Sequence, residues 1–327
     1  MKKYFKLLLS VAFLIAGMMS YAQTVDYSVI SVKEEASYTF TKMTSDNDYV
    51  CMPQVKRSGT KLSWLTNRII DISPNGSQLA YVSLRNNSTN IFIKDLDKLG
   101  TSVQRTNRNS VLDFSYSPNG KYIVFSEQAG KFNQIYQTDA SKGYICRQIT
   151  TGNSDYTPVY SADMKQIYFT RMERNGTSIW SYDMTSNFLA SYTRGYNPCS
   201  LGNSEIYCVR QNATGNNEIW KVNYKTSVEE CIVSDTRRDF STPSISPDGN
   251  WLLFVGSSQI PFGNSTYVNT DIYVCRTDGS QLTQMTYHAA DDLSPVWSKD
   301  GKYIYFISQR GSTTGTANIW RMNFLYE

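Results

Sequence analysis

The chain has 327 residues, of which 40% are hydrophobic and 13% aromatic, with 24 Tyr, 14 Phe and 6 Trp. Its formal net charge is +4, and the first 22 residues carry Lys2, Lys3 and Lys6 with no acid, so the remainder stands at +4 minus 3, or +1. That near-neutral balance gives no sign of a nucleic-acid partner, whose phosphates require a concentrated basic surface.

The first element in chain order is a leader. Lys2 and Lys3 open an apolar run from Leu7 to Met19, and Ser20-Tyr21-Ala22 supplies small residues for a signal peptidase. Residues 1–22 therefore read as a secretory signal peptide cut after Ala22, with an uncleaved anchor as the alternative. The run is short for a membrane span, and no later segment reaches 18 consecutive apolar residues. The expectation is an exported protein, periplasmic or attached to the cell surface, without a transmembrane segment once the leader is gone. Residues 23–67 form an N-terminal segment, and residues 68–327 carry a repeat.

The repeat is a turn. It reads Ile72-Ser73-Pro74-Asn75-Gly76, then Tyr116-Ser117-Pro118-Asn119-Gly120, Ile245-Ser246-Pro247-Asp248-Gly249 and Trp297-Ser298-Lys299-Asp300-Gly301. Degenerate copies stand at Tyr160-Ser161-Ala162-Asp163-Met164 and Cys199-Ser200-Leu201-Gly202-Asn203. The motif serines step by 44, 44, 39, 46 and 52 residues. Pro presets φ, Asp or Asn bonds its own backbone, and Gly takes positive φ. A short apolar strand precedes each turn and a second follows, such as Tyr122-Ile123-Val124-Phe125. A third carries Ile and an aromatic, as in Ile135-Tyr136 or Ile319-Trp320. A fourth often ends in Thr, as in Gln284-Met285-Thr286. Four short strands per unit of this length predict an all-β, six-bladed propeller of four-stranded antiparallel blades. The sixth repeat stops at its third strand. Residues 38–44 match the fourth strand of blade five, which predicts an N-terminal strand that completes blade six; an independent hairpin is the alternative. Residues 45–67 are harder to place, with Asp48 to Pro53 a possible first strand followed by an insertion.

These turns, with the Tyr-Ile-x-Phe and Ile-aromatic strands that follow, resemble the propeller repeats of TolB-like proteins over about residues 68–327. The resemblance implies an envelope propeller. In that family an α/β domain precedes the propeller, and about 45 residues between Ala22 and the first repeat leave no room for one.

No catalytic pattern stands out. There is no Gly-x-Ser-x-Gly elbow, phosphate loop or Asp-rich calcium loop. The single histidine, His288, reads as an exposed loop residue and cannot build a histidine metal centre alone. No cofactor is expected. Six cysteines, Cys51, Cys146, Cys199, Cys208, Cys231 and Cys275, form no Cys-x-x-Cys pair. Cys199 and Cys208 flank the degenerate turn of blade four. A turn centred between Asn203 and Ser204 would set them opposite each other, within disulfide reach; a free apolar thiol at Cys208, which aligns with Phe125 and Phe169, is the competing reading.

The candidate binding face is built from the loops that enter first strands and leave second strands, which open at one end of the ring. Asp155, Asp239, Asp291 and Asp292 enter; Arg85, Arg171, Arg210 and Arg310 leave. They either ring a ligand or pair with one another to tie loops together. Tyr156, Tyr196, Phe240 and Tyr287 join them, as do Phe262 and Tyr267 on the long insertion from Gly256 to Thr270. This composition favours a non-enzymatic scaffold that binds an envelope protein or peptide. The alternative is a small-molecule or glycan binder, conceivably with lyase or hydrolase activity.

Overall fold

The computed structural model describes residues 27–326 except 54, 59–60, 65–67, 99, 201 and 263–264. The expected leader lies outside the described residues. The chain folds into six four-stranded antiparallel sheets arranged as a propeller. Each innermost strand touches those of the blades on either side, and that of blade six returns to blade one, so the ring closes.

The repeated turn explains the repeated blade. In blade one, Ser73 Oγ donates to Asn75 Oδ1 at 2.7 Å and accepts the Gln78 N–H at 2.9 Å. The same pair of bonds recurs at Ser117, Ser161, Ser246 and Ser298. Gly76, Gly120, Gly249 and Gly301 take φ from +70° to +77° at the turn's end. Met164 takes φ +61° in blade three, where the glycine is missing. In blade four Ser200 Oγ turns instead to the Gly202 and Glu205 carbonyls.

The innermost strands carry a bulge. Thr157, Asn197, Thr242 and Ser294 sit there with φ between +49° and +56°, each where the register to the second strand shifts. A bulge redirects the strand and frees its polar groups. Here those groups tie blades together. Thr157 N donates to Asp113 Oδ1, Asn197 N to Thr170 Oγ1, and Ile69 N to Ser294 Oγ, each at 3.0 Å.

Blade six is completed by the N-terminus. Phe40–Lys42 pairs antiparallel with Asn318–Asn323, in the register Phe40↔Met322 and Lys42↔Trp320. The match to blade five has a physical basis. Thr44 Oγ1 accepts the Ile319 N–H at 2.8 Å and Met43 N donates to the Ile319 carbonyl, just as Thr286 and Met285 serve Ile272. Met43 is buried in the core that joins blades one, two and six.

Blade one has a divided inner strand. Val50 bridges Ser83, while Ile70–Ile72 pairs farther along the same second strand, Gln78–Arg85. A two-stranded hairpin, Val55–Ser58 with Lys61–Trp64, lies between the two pieces.

Three expectations need correction. Cys199 faces Tyr207, not Cys208, because the turn is centred on Asn203 itself. Cys199 and Cys208 enter separate apolar clusters, and all six cysteines are free. The insertion of blade five is not a loop but a longer hairpin: Trp251–Phe262 and Ser265–Arg276 pair without a break to Phe262↔Ser265. His288 is buried, not exposed. Its Nδ1 accepts the Ala290 N–H at 2.9 Å, which leaves Nε2 to donate to the Val29 carbonyl at 3.1 Å. The N-terminal residues that cover it are distant in sequence.

Candidate functional site

The loop face sorts the predicted residues into two sets. The first is buried and mutually occupied. Arg171 and Asp155 stand opposite each other in blade three and form a two-pronged ion pair at 2.7 and 2.9 Å. Arg310 donates to Asp292 at 2.6 Å, to both Glu35 oxygens at 3.2 Å and to the Ile30 carbonyl at 3.1 Å. Asp239 is buried, and its Oδ1 accepts the Asn217 N–H at 2.8 Å. Phe240 has no exposed surface and packs edge-on against Phe254 with ring centres 5.4 Å apart. These residues hold the fold; they do not present themselves to solvent.

The second set keeps access to solvent. Arg85 bonds Ser83 and Ser102 and stacks 3.9 Å above the Phe92 ring centre. Asp291 accepts from the Thr270 N–H and hydroxyl. Tyr267 is half-buried, and burial pushes its hydroxyl pKa up. Tyr287 is exposed, while its N–H donates to Glu35 at 2.8 Å. The side chain of Phe262 lies outside the described residues.

Three of the predicted residues do meet. Tyr156, Tyr196 and Arg210 line one open groove of about 680 Å³ between blades three and four. Tyr196 also packs against the apolar cluster of blades five and six, so the groove reaches toward the axis. Burial raises the pKa of both tyrosines, with Asp239 adding to the effect at Tyr196. They stay protonated and keep hydroxyl donors in the groove; Tyr156 already meets Asn133 Nδ2. Arg210 is held flat by Glu229 through two bonds of 2.8 Å and stacks 4.9 Å from the Trp220 ring centre. Its side chain is 16% exposed against 45% for Glu229, so its charge is met at the rim.

Sequence reasoning missed other walls of this groove, among them Met172, Arg194 and Glu229. Arg194 ends the fourth strand of blade three, and Glu229 lies on the outermost strand of blade four. Neither belongs to the repeated loop positions. Their approach depends on how two blades meet, which one blade's sequence does not encode. No cluster of three or more His, Cys, Asp or Glu able to hold a metal occurs among the described residues.

The sequence model of the TolB β-propeller domain matches residues 21–261. The chain belongs to that family. Solved structures share the fold at low identity. A putative TolB from Agrobacterium tumefaciens is 18% identical with a TM-score of 0.59, over 82% of this chain and 93% of that one. TolB from Acinetobacter baumannii is 20% identical with a TM-score of 0.58, over 73% of this chain and 59% of that one. An oligogalacturonate lyase from Vibrio parahaemolyticus is 10% identical with a TM-score of 0.58, over 87% of this chain and 93% of that one. One blade arrangement thus serves proteins with different names, and function in this TolB-family propeller has to be argued from its own surface.

Proposed function

We propose that the chain is an exported scaffold that takes a peptide or protein segment into the groove between blades three and four. The observation that carries this reading is the composition of that groove. Two tyrosines and Met172 give apolar contact, while Arg194 and the Arg210–Glu229 pair frame it with charge. Aromatic, Met and Arg side chains inside a polar rim are what peptide and protein interfaces concentrate. Export rests on the leader pattern of residues 1–22, and no described helix is long and apolar enough to cross a membrane.

The same groove favours a second reading, a glycan. Asn175, Asn197, Gln211 and Asn217 also line it, and carboxamides both donate to and accept from sugar hydroxyls. One experiment separates the two. Wild-type protein and a Tyr196→Ser variant are immobilised and exposed to envelope extract, and both are run in a thermal-shift screen of oligosaccharides. A polypeptide retained in stoichiometric amount by the wild type and lost by the variant supports the scaffold. A sugar that shifts only the wild type supports the glycan. Equal behaviour of the two proteins in both assays refutes the groove as the site. Intact mass of the exported protein, beginning at Gln23, checks the leader.

A further inference from the structure

The end of the ring opposite the groove holds a second cavity. It has about 270 Å³, sits on the axis and is lined by residues from all six blades. Its mouth is rimmed by the repeated turns, with Pro118, Pro247 and the exposed Lys299 at the edge. Val159, Val296 and Trp297 contribute apolar wall.

Arg68 enters this shaft from blade one. Its Nη2 donates to the Pro243 carbonyl of blade five at 3.3 Å, so the side chain crosses the shaft past blade six. That is its one hydrogen bond to a described residue, and no carboxylate among the described residues lies within ion-pair distance of it. The nearby acids direct their hydrogen bonds to other groups. Asp71 uses Oδ1 for the Ile72 N–H and Oδ2 for the Tyr116 N–H, both at 2.9 Å. Asp113 Oδ1 serves Ser126 and Thr157. Both acids attract Arg68 through space without touching it. A guanidinium is always charged and carries five donors in a planar fork. Half-buried in the shaft wall and bonded through its side chain to a carbonyl rather than to a carboxylate among the described residues, it keeps donors to offer an incoming anion.

We propose that this axial funnel binds a single carboxylate, with Arg68 as the two-pronged donor at its floor and the apolar walls around a short apolar body. The geometry selects a monoanion. Asp71 and Asp113 add negative potential on the same axis, which penalises a doubly charged phosphate, whereas a planar carboxylate matches the fork with one charge. Lys299 at the mouth favours approach of an anion. The carboxylate belongs either to a free small acid or to the C-terminal end of a peptide. The site lies at the opposite end from the groove and stands or falls independently of it.

Calorimetric titration of the purified protein tests this. The probes are N-acetyl-leucine, N-acetyl-leucine amide, and one pentapeptide with a free or an amidated C-terminus. The acids are expected to bind at least about tenfold more tightly than the matching amides, since bonds to a charged partner are about twice as strong as neutral ones. Arg68→Met should abolish that preference, Arg68→Lys should retain part of it, and Asp71→Asn should strengthen acid binding. A free acid that binds as well as the peptide identifies a small-molecule site; a marked advantage for the free-ended peptide identifies a chain end. The acid-against-amide comparison on unaltered protein stands even if Arg68→Met fails to fold. Equal binding of acids and amides overturns the proposal, as does no binding up to about 10 mM, where a ~1 mM site would be mostly filled. Acid binding unchanged in a folded Arg68→Met protein also overturns it.

Discussion

Asp113 should make the protein's stability respond to acid in an unusual direction. Its carboxyl is fully buried on the innermost strand of blade two. Oδ1 accepts Ser126 Oγ at 2.5 Å and Thr157 N at 3.0 Å, while Oδ2 is buried with no hydrogen-bond partner. Burial pushes its pKa up from 3.8 to about 6, against smaller opposing effects from those bonds and from Arg68. A raised carboxyl means that the folded state holds the proton more tightly than the unfolded chain. The stabilisation is therefore complete below about pH 4 and is lost as pH rises through about 6. A shift of about two units corresponds to roughly 3 kcal/mol between those limits. Asp113→Asn keeps an acceptor for Ser126 and Thr157 but cannot titrate. Any cost of placing its NH₂ at the unpartnered position is the same at every pH and cancels from the slope. Urea unfolding of both proteins from pH 4 to 8 is the assay. Relative to the variant, the wild type should gain about 2.5 kcal/mol as pH falls from 7.5 to 4. Comparison with the variant is necessary because surface carboxyls such as Asp163 and Asp300, whose pKa values are lowered, act in the opposite sense. Parallel pH profiles for the two proteins would refute the argument.

Further outcomes follow from the same geometry. Arg310→Met strands Glu35 and Asp292 as unpaired buried charges, at a cost of about 3–5 kcal/mol; for about 300 residues that lowers Tm by roughly 5–8 °C in calorimetry, and a change under about 1 °C would contradict it. Arg210→Ala breaks a rim pair worth at most about 1 kcal/mol, so Tm should move by less than about 2 °C while retention of the groove ligand falls. Met43→Ala opens a cavity beside the N-terminal strand and should cost about 2–5 kcal/mol; an unchanged melting curve would mean that the strand does not hold blade six. Cys208→Ser places a hydroxyl in an apolar cluster and should cost about 1–3 kcal/mol, whereas a reducing agent should leave wild-type stability unchanged because its thiols are free.

The blade repeat was legible because each copy is wired locally. The serine, the Asp or Asn two residues on and the N–H five residues on make one self-contained turn. The completing strand was legible for a similar reason, since Met43-Thr44 repeats the backbone bonds of Met285-Thr286. The Asp155–Arg171 pair followed from residues that face each other in one hairpin. What failed depended on more than one hairpin. A bulge and a turn centred one half-step earlier moved Cys199 from Cys208 to Tyr207. His288 and Arg310 are covered by residues 27–35, some 250 positions away in sequence, and no local pattern announces that cover. The groove's Met172, Arg194 and Glu229 meet across a blade boundary.

The distribution of charge then separates structure from function. At Asp155–Arg171 and Asp292–Arg310 the repeated acid and arginine are buried and bonded to each other, so a ligand would have to break an internal pair to use them. That cost excludes them as contact residues while making them determinants of loop position. Arg210 differs because its partner Glu229 stays 45% exposed, which lets the pair exchange bonds at the rim. Arg68 differs again, since no carboxylate among the described residues comes within ion-pair distance of it on the axis. Departure from the repeat is therefore the informative signal in this propeller. Blade four has lost its turn and has Gly195 where blade three carries Asp155, and one wall of the groove is there. Blade one has a divided inner strand, and the axial arginine follows from that division. Where a repeat satisfies itself it builds the ring, and where one copy breaks the pattern it leaves polar groups free to meet something else.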